Sequence, residues 1–329
     1  MTILVTGATT PLGIAIVDAL LARRETTAVI AIGANEPTPW TDPRVHYHTR
    51  DLSHPRAMHD LVWGEGREHG IETAIHLMQH RRAGDHGRRV HAQNVEALRA
   101  LVNAAGAHPT LRRLVLRSYA EVYALPHGTV ELLDEDAPLD FDVRAPAWVR
   151  ERVEAEVIAR TSSSLQVTVL RCAELFGPEL GSQLWDYLQS RVCLRPMGFD
   201  PMIDVLSLPD ATRAFMAAIT TPISGVFNIC GLDALPLSRA IALAGRADIP
   251  LPSALIDPLY ALRRRVIGSD FAYDLNERRF HFGVMLDGRR ARTELGYEPM
   301  EHVQWPAYHR GIRDVLNSSR KRRARWTSS

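Results

Sequence analysis

The stretch Thr6-Gly7-Ala8-Thr9-Thr10-Pro11-Leu12-Gly13 has the residue types and spacing to hold a phosphate. It follows the apolar run Ile3 to Thr6, which reads as a buried parallel strand, and leads into a helix opening near Pro11. The exposed N–H groups and positive end of such a helix attract the pyrophosphate of a dinucleotide. A full fingerprint of this spacing has a middle glycine where the backbone meets the phosphates; here Thr10 stands, bulkier but with a hydroxyl that can donate to a phosphate oxygen. A second apolar run, Ala28 to Ile32, ends at Gly33-Ala34-Asn35. An acidic side chain there would take ribose hydroxyls, and a nearby arginine a ribose phosphate. Gly33 does neither, so NAD and NADP both stay open. Asn35 and Glu36 read as a solvated loop ahead of Pro37 and Pro39. His80, Asp85, His86 and His91 form neither a helical histidine pair nor a convergent carboxylate set, so this stretch reads as a solvated basic loop without metal. Cys172, Cys193 and Cys230 lack metal-like spacing and are expected as reduced, packed thiols.

The elements that must position these residues are legible as alternating apolar runs. A helix from Pro11 to about Arg23 is followed by a short strand at Val45 to His48, then Asp51-Leu52 and a helix capped near Ser53. Further strands are expected at Thr73 to Met78, Leu111 to Leu116 and Gln166 to Leu170, with helices through Val90 to Val102 and Arg144 to Arg160. This alternation predicts an α/β fold with a doubly wound parallel sheet, Rossmann-like, over residues 1–176. A smaller irregular lobe is expected over 177–317, some of whose segments return to the first domain, including a helix at 208–219 and a strand at Gly225 to Ile229. Residues 318–329 read as a disordered basic tail. With 329 residues, 46% of them hydrophobic, and a net charge of +1, the chain can bury a large core and is not built to seek polyanions. A nucleic-acid partner is therefore not expected. No apolar run reaches the roughly 20 residues that span a bilayer, and a cytosolic protein is expected.

Several landmarks in order resemble the extended short-chain dehydrogenase/reductase family, which includes NAD-dependent nucleotide-sugar epimerases and dehydratases. The opening loop is similar to its TGxxGxxG motif and Asp51-Leu52 to its adenine-contacting pair. His76-Leu77-Met78 is similar to its HLA segment, Asn94-Val95 to its NV element, and Leu170-Arg171-Cys172-Ala173-Glu174-Leu175-Phe176-Gly177-Pro178 to its LRPxNVYGP segment. The resemblance covers about Met1 to Pro299. It implies NAD or NADP as cofactor, held by Gly7, Thr9, Thr10, Pro11, Leu12, Gly13, Asp51, Leu52, Leu77, Met78, Ser118, Arg152 and Cys172. It also implies a homodimer through the helices at 90–106 and 145–160.

In that family a tyrosine of a YxxxK helix serves as acid or base, its lysine tunes the phenol and holds the nicotinamide ribose, and a serine or threonine polarises the substrate. Matching Glu154-Ala155-Glu156 and Val122-Tyr123-Ala124 to the family places Trp148 at the tyrosine, Arg152 at the lysine and Tyr119 at the serine. An indole offers only a neutral N–H and cannot exchange the proton that acid–base catalysis moves. Arg152 can bond ribose hydroxyls but stays charged and differs in shape from lysine. Two functions follow as expectations: a non-catalytic or regulatory protein on this fold, taking a small molecule or a protein partner; or an active NAD(P)-dependent epimerase, dehydratase or reductase with a rearranged Tyr119/Arg152 site. Glu121, Glu174 and Asp136 are expected in surface or capping roles, and Tyr123 in the core.

Overall fold

The computed structural model describes residues 1–34, 38–54, 56–77, 86–125, 132–267 and 271–306. In chain order the elements are β1 Thr2–Thr6, α1 Pro11–Leu21, β2 Ala28–Gly33, β3 Val45–Thr49, α2 Ala57–Leu61, β4 Thr73–His76, α3 Arg88–His91 and α4 Ala97–Ala105. They continue with β5 Arg113–Tyr119, β6 Leu132–Leu133, α5 Ala147–Arg160, β7 Gln166–Cys172, β8 Glu174–Leu175, α6 Gln183–Leu188, β9 Val192–Pro196 and β10 Met202–Leu206. The last are α7 Leu208–Thr220, β11 Gly225–Ile229, β12 Asp233–Pro236, α8 Leu237–Leu243, β13 Ala247–Leu251, α9 Ser253–Ile267, α10 Tyr273–His281 and β14 Met285–Leu286. A wide turn at Ala92–Glu96 joins α3 to α4.

β1 lies between β4 and β2 in a parallel seven-stranded sheet ordered β11-β7-β5-β4-β1-β2-β3. Alternate side chains of each strand feed two cores. Ile3 and Val5 pack with Ile16, Leu20 and Phe215 on the α1/α7 side, whereas Leu4 packs with Leu98, Leu101 and Ala159 on the α4/α5 side. Strands apolar on both faces are what a sheet covered by helices on both sides requires. The smaller lobe has its own core, in which Tyr187, Tyr260, Phe271, Tyr273 and Phe280 interlock, with Tyr187 and Phe280 centroids 4.9 Å apart.

The doubly wound sheet is present, with shifts from the sequence reading. The helix expected from Ser53 starts at Ala57 instead. The Ser53 N–H is taken by Asp51 Oδ1 (3.0 Å), so the two residues form a local turn rather than a cap. β5 does not end at Leu116, because its ladder with β7 continues through Arg117↔Leu170, Ser118↔Arg171 and Tyr119↔Cys172. The polar residues of that stretch are thereby fixed in the sheet. α5 begins at Ala147 rather than Arg144, after Pro146, whose ring suits a helix start. α7 and β11 return to the main sheet, β11 pairing with β7 and α7 packing on α1. Asn35, Glu36, Met78, His80, Asp85 and the basic run 320–326 lie outside the described residues. No helix among the described residues is long and apolar enough to cross a membrane. No set of His, Cys, Asp or Glu among them is grouped to hold a metal.

Candidate active site

The nucleotide loop is built by two close approaches. Gly7 turns with φ 70°, a left-handed value that glycine adopts without strain. A Cβ on Gly13 would lie 2.2 Å from the Gly7 carbonyl oxygen, so glycine there lets α1 dock on β1. Thr10 caps α1: its Oγ1 accepts from Gly13 N at 3.0 Å, and Pro11 occupies the first helical position. With its oxygen engaged as acceptor, the hydroxyl proton is left to donate, so the substituted position keeps a phosphate donor at the helix end. Thr9 Oγ1 accepts from Ala34 N (3.2 Å), tying the loop to the end of β2. The fold of this loop, its cap and the positive helix end fit a dinucleotide pyrophosphate. Asp51 is pulled below the ordinary carboxylate range by its hydrogen bond from Ser53, and Arg89 lies 3.2 Å from it. Leu52 and Leu77 are buried, and Leu77 N bonds back to Thr6.

Tyr119, Trp148 and Arg152 are brought together. Tyr119 is the last residue of β5; Trp148 and Arg152 lie one turn apart on α5, on the side that packs against the short turn at Ala120–Val122. The Arg152 guanidinium carbon sits 3.5 Å from the Tyr119 ring centroid and 4.5 Å from that of Trp148, a double cation–π contact. Its Nη1 lies 3.4 Å from Glu121 Oε2. Burial pulls the Arg152 pKa down, opposed by Glu121 and Tyr119. Arg117, two residues before Tyr119 on the same strand face, places its guanidinium carbon 4.7 Å from the same ring.

Two of the cofactor candidates have committed side chains. Ser118 donates to Glu156 Oε2 at 2.7 Å, supporting a buried ion pair in which Arg171 Nη2 lies 2.6 Å from Glu156 Oε1. Cys172 is buried, which pushes its thiol up to about 12, far from a reactive thiolate at neutral pH. Cys193 and Cys230 are likewise free and buried. Tyr123 lies in the core and donates to Asn228 Oδ1 (2.6 Å).

Glu121 and Glu174 are not surface carboxylates, although Glu174 has the capping role at the first turn of α6: their side chains are 10% and 8% exposed, and both line a cleft with Arg279. Arg279 Nη1 is 3.3 Å from Glu121 Oε1, and Arg279 Nη2 is 2.5 Å from Glu174 Oε2. Glu174 also accepts from Ser182 Oγ (2.7 Å) and Leu184 N (2.9 Å). Burial opposes its ionisation, but Arg279 and these donors outweigh that and hold its carboxyl below the usual range. Phe280, anchored in the aromatic core of the small lobe, fixes the place of its neighbour Arg279. Asp136 is exposed. The sequence reading also missed Asp204, which lines the same cleft. Burial pushes its carboxyl up to about 7, helped by Asp233 and opposed by N–H groups of Gly231 and Leu286. A lone acid within the apolar run Met202-Ile203-Asp204-Val205-Leu206 was the available signal. Arg279 had none, since only the tertiary fold carries α10 to β8.

The parallel sheet, the glycine turn into α1 and a cleft at the carboxyl ends of β5 and β7 define a dinucleotide-fold protein with a second lobe over its site. The family model described as NAD dependent epimerase/dehydratase family matches residues 3–230, and the chain belongs to that family. A Streptomyces protein named 3-diazoavenalumate denitrifying reductase is 30% identical over 315 residues, covering 93% of this chain and 98% of the relative. An uncharacterized Mycobacterium tuberculosis protein is 31% identical over 217 residues, 63% of this chain. That match spans only 55% of the mycobacterial protein's length. Among solved structures, the NAD complex of a Bacillus anthracis dTDP-glucose 4,6-dehydratase superposes with TM-score 0.67 at 17% identity, covering 98% and 97% of the two chains. A Bacillus cereus UDP-glucuronic acid 4-epimerase, solved with UDP-glucuronic acid and NAD, gives 0.66 at 18% identity, covering 96% and 97%. These two likenesses are of fold.

Proposed function

We propose that this protein is an NAD(P)-dependent reductase whose hydride acceptor needs no proton from the usual tyrosine position, and that it is neither an epimerase nor a dehydratase. When bound, a reduced nicotinamide supplies the hydride. The observation that carries the reading is the Tyr119–Arg152–Trp148 stack, in which the guanidinium lies 3.5 Å from the phenol ring and the indole stands at the acid–base position. Oxidising a sugar hydroxyl, the step that opens epimerase and dehydratase chemistry, releases a proton to a base. Neither Trp148 nor Arg152 can take one. Reduction of a diazo-bearing carbon makes no such demand: a C–H bond forms as the C–N bond breaks, and the electron pair of that bond leaves with dinitrogen. The reductase relative matched over nearly its whole length supports this class of acceptor. Arg279, Glu121 and Glu174 would line the polar side of the cleft, with Arg152 behind Glu121, and Leu184, Met202 and Leu237 its apolar side.

The test is consumption of NADH or NADPH by purified protein offered 3-diazoavenalumate, other aryl diazo compounds and simple carbonyls, set against NAD with UDP-glucose or dTDP-glucose. Reduced nicotinamide is expected to be consumed with a diazo or related acceptor only. Sugar-nucleotide turnover, or no consumption with any acceptor, overturns the reading. Tyr119→Phe is expected to keep the rate within about threefold, since loss of a working general acid costs about 10²–10⁴-fold. The mutual packing of Tyr119, Trp148 and Arg152 also favours a second reading, a non-catalytic nucleotide-dependent binder. Thermal shift by a dinucleotide, without turnover of any acceptor, selects it. A homodimer through α4 and α5 is part of either proposal, and light scattering measures it.

A further inference from the structure

Asp204 stands in the middle of β10, among the apolar Met202, Ile203, Val205 and Leu206, and lines the cleft together with Leu184, Met202, Leu237 and Phe280. The other charges lining that cleft are matched. Arg279 spans Glu121 and Glu174 through its two Nη groups, and Arg152 backs Glu121. Asp204 has no such counter-charge. Among the described residues no cationic side chain pairs with it; Gly231 N reaches its Oδ1 at 3.3 Å, the Leu286 N–H also bonds it, and the charge that acts on it is a second acid, Asp233. An ionised carboxylate offers about four acceptor positions, and withdrawing it from water without a cation is unfavourable unless a ligand brings one. The cleft therefore has a carboxyl that is open to a ligand, set against an apolar wall.

We propose that Asp204 is the anionic subsite of the cleft and holds the positively charged head of an aromatic cation, while Leu184, Met202, Leu237 and Phe280 take its ring. A carboxylate or diphosphate in the same place would meet Asp204, Glu121 and Glu174, with Arg279 already engaged, so anionic ligands are disfavoured. The inference deepens the reductase reading and rests on it only in taking the cation for the hydride acceptor: an aromatic diazonium ion carries its positive charge on the nitrogens that leave. Binding is measured without turnover, so failure of the subsite and failure of the reductase reading give different results.

The experiment is calorimetric titration of the whole protein, wild type and Asp204→Asn, with benzylammonium, benzyl alcohol and phenylacetate between about pH 6 and pH 8. Benzylammonium keeps its charge over this range. Asp204, whose pKa is about 7, is mostly protonated at the acid end, so the cation is expected to bind about tenfold more tightly at about pH 8 than at about pH 6. The groups facing Asp204 are Asp233, itself bonded by His302, then Glu174, Glu121 and Arg279 across the cleft, and Cys230 and Tyr297, which burial keeps neutral. Asp204→Asn assigns the pH dependence: it should flatten the profile and lose about tenfold or more of the affinity at the alkaline end, with benzyl alcohol unaffected. The ranking of the three ligands and the pH profile are read on wild type, so they stand whether or not the variant folds. Benzyl alcohol or phenylacetate binding as tightly as benzylammonium, a flat wild-type profile, no saturable binding of the cation, or a folded Asp204→Asn with unchanged affinity would each overturn the proposal.

Discussion

Glu156 and Arg171 form an ion pair with 0% and 1% of their side chains exposed, and the carboxylate also accepts from Ser118 and Arg160. Burial disfavours the charged form of Arg171, but its hydrogen bonds to Glu156 outweigh this and raise its pKa. Removing one partner strands the other, so Glu156→Gln should lower stability by about 3–5 kcal/mol in urea unfolding. A loss below about 1 kcal/mol would show that the pair is dispensable. Asp204 has the opposite electrostatics. Its folded pKa of about 7 lies above its ordinary 3.8, so the native state binds more protons than the unfolded chain between those values. Stability from this group is complete below about pH 3.8, declines as pH rises toward 7, and is flat above. Melting curves of Asp204→Asn should therefore gain on wild type as pH rises from about 4 to about 7. Parallel curves would mean that Asp204 ionises as an ordinary carboxylate.

At the scale of elements, the loop between β1 and α1 also explains what β2 lacks. A Cβ on Gly33 would fall 2.4 Å from Thr9 Cγ2, 2.6 Å from Thr9 Oγ1 and 2.8 Å from the Tyr47 hydroxyl. Thr9 has taken the space next to β2 in which an acidic side chain would start. Gly33→Asp is expected to destabilise by about 1–3 kcal/mol through overpacking, with no gain in NAD affinity over NADP. Calorimetric titration of the variant decides this, and a gain of tenfold or more for NAD would refute the steric argument. α5 is the other organising element. Its first turn presents Trp148, its second Arg152 and its third Glu156, so one helix delivers the altered catalytic positions and the carboxylate that anchors Arg171.

For the whole molecule, the boundary at residue 176 divides the sequence more cleanly than it divides the fold. β11 completes the parallel sheet against β7 along Gly225–Ile229, and α7 covers α1. A chain ending at residue 176 would expose the β7 edge and the apolar face on which Phe215 and Ile219 pack. Such a truncation should aggregate or show no cooperative melting, whereas an independently folding fragment would give a sharp transition.

Short-range pattern made most of the architecture legible. Apolar runs of strand length, the Gly7 turn, Pro11 at the helix start and the helical spacing of Leu98, Leu101 and Val102 are all set by neighbours within a few residues, so the sheet could be read from the sequence. The substitutions Thr10, Tyr119, Trp148 and Arg152 could be read too, because they fall at fixed offsets within recognisable segments. Their meaning came from the tertiary structure: Thr10 serves as an N-cap, and Arg152 is held between two rings. The charge chain from Arg152 through Glu121 and Arg279 to Glu174, together with the buried Asp204, joins residues from the Ala120–Val122 turn, α5, β8, β10 and α10. Their pairing and desolvation depend on distances in space that no local pattern encodes. The sequence by itself determined the strand–turn–helix frame, while folding decided which charges meet inside it.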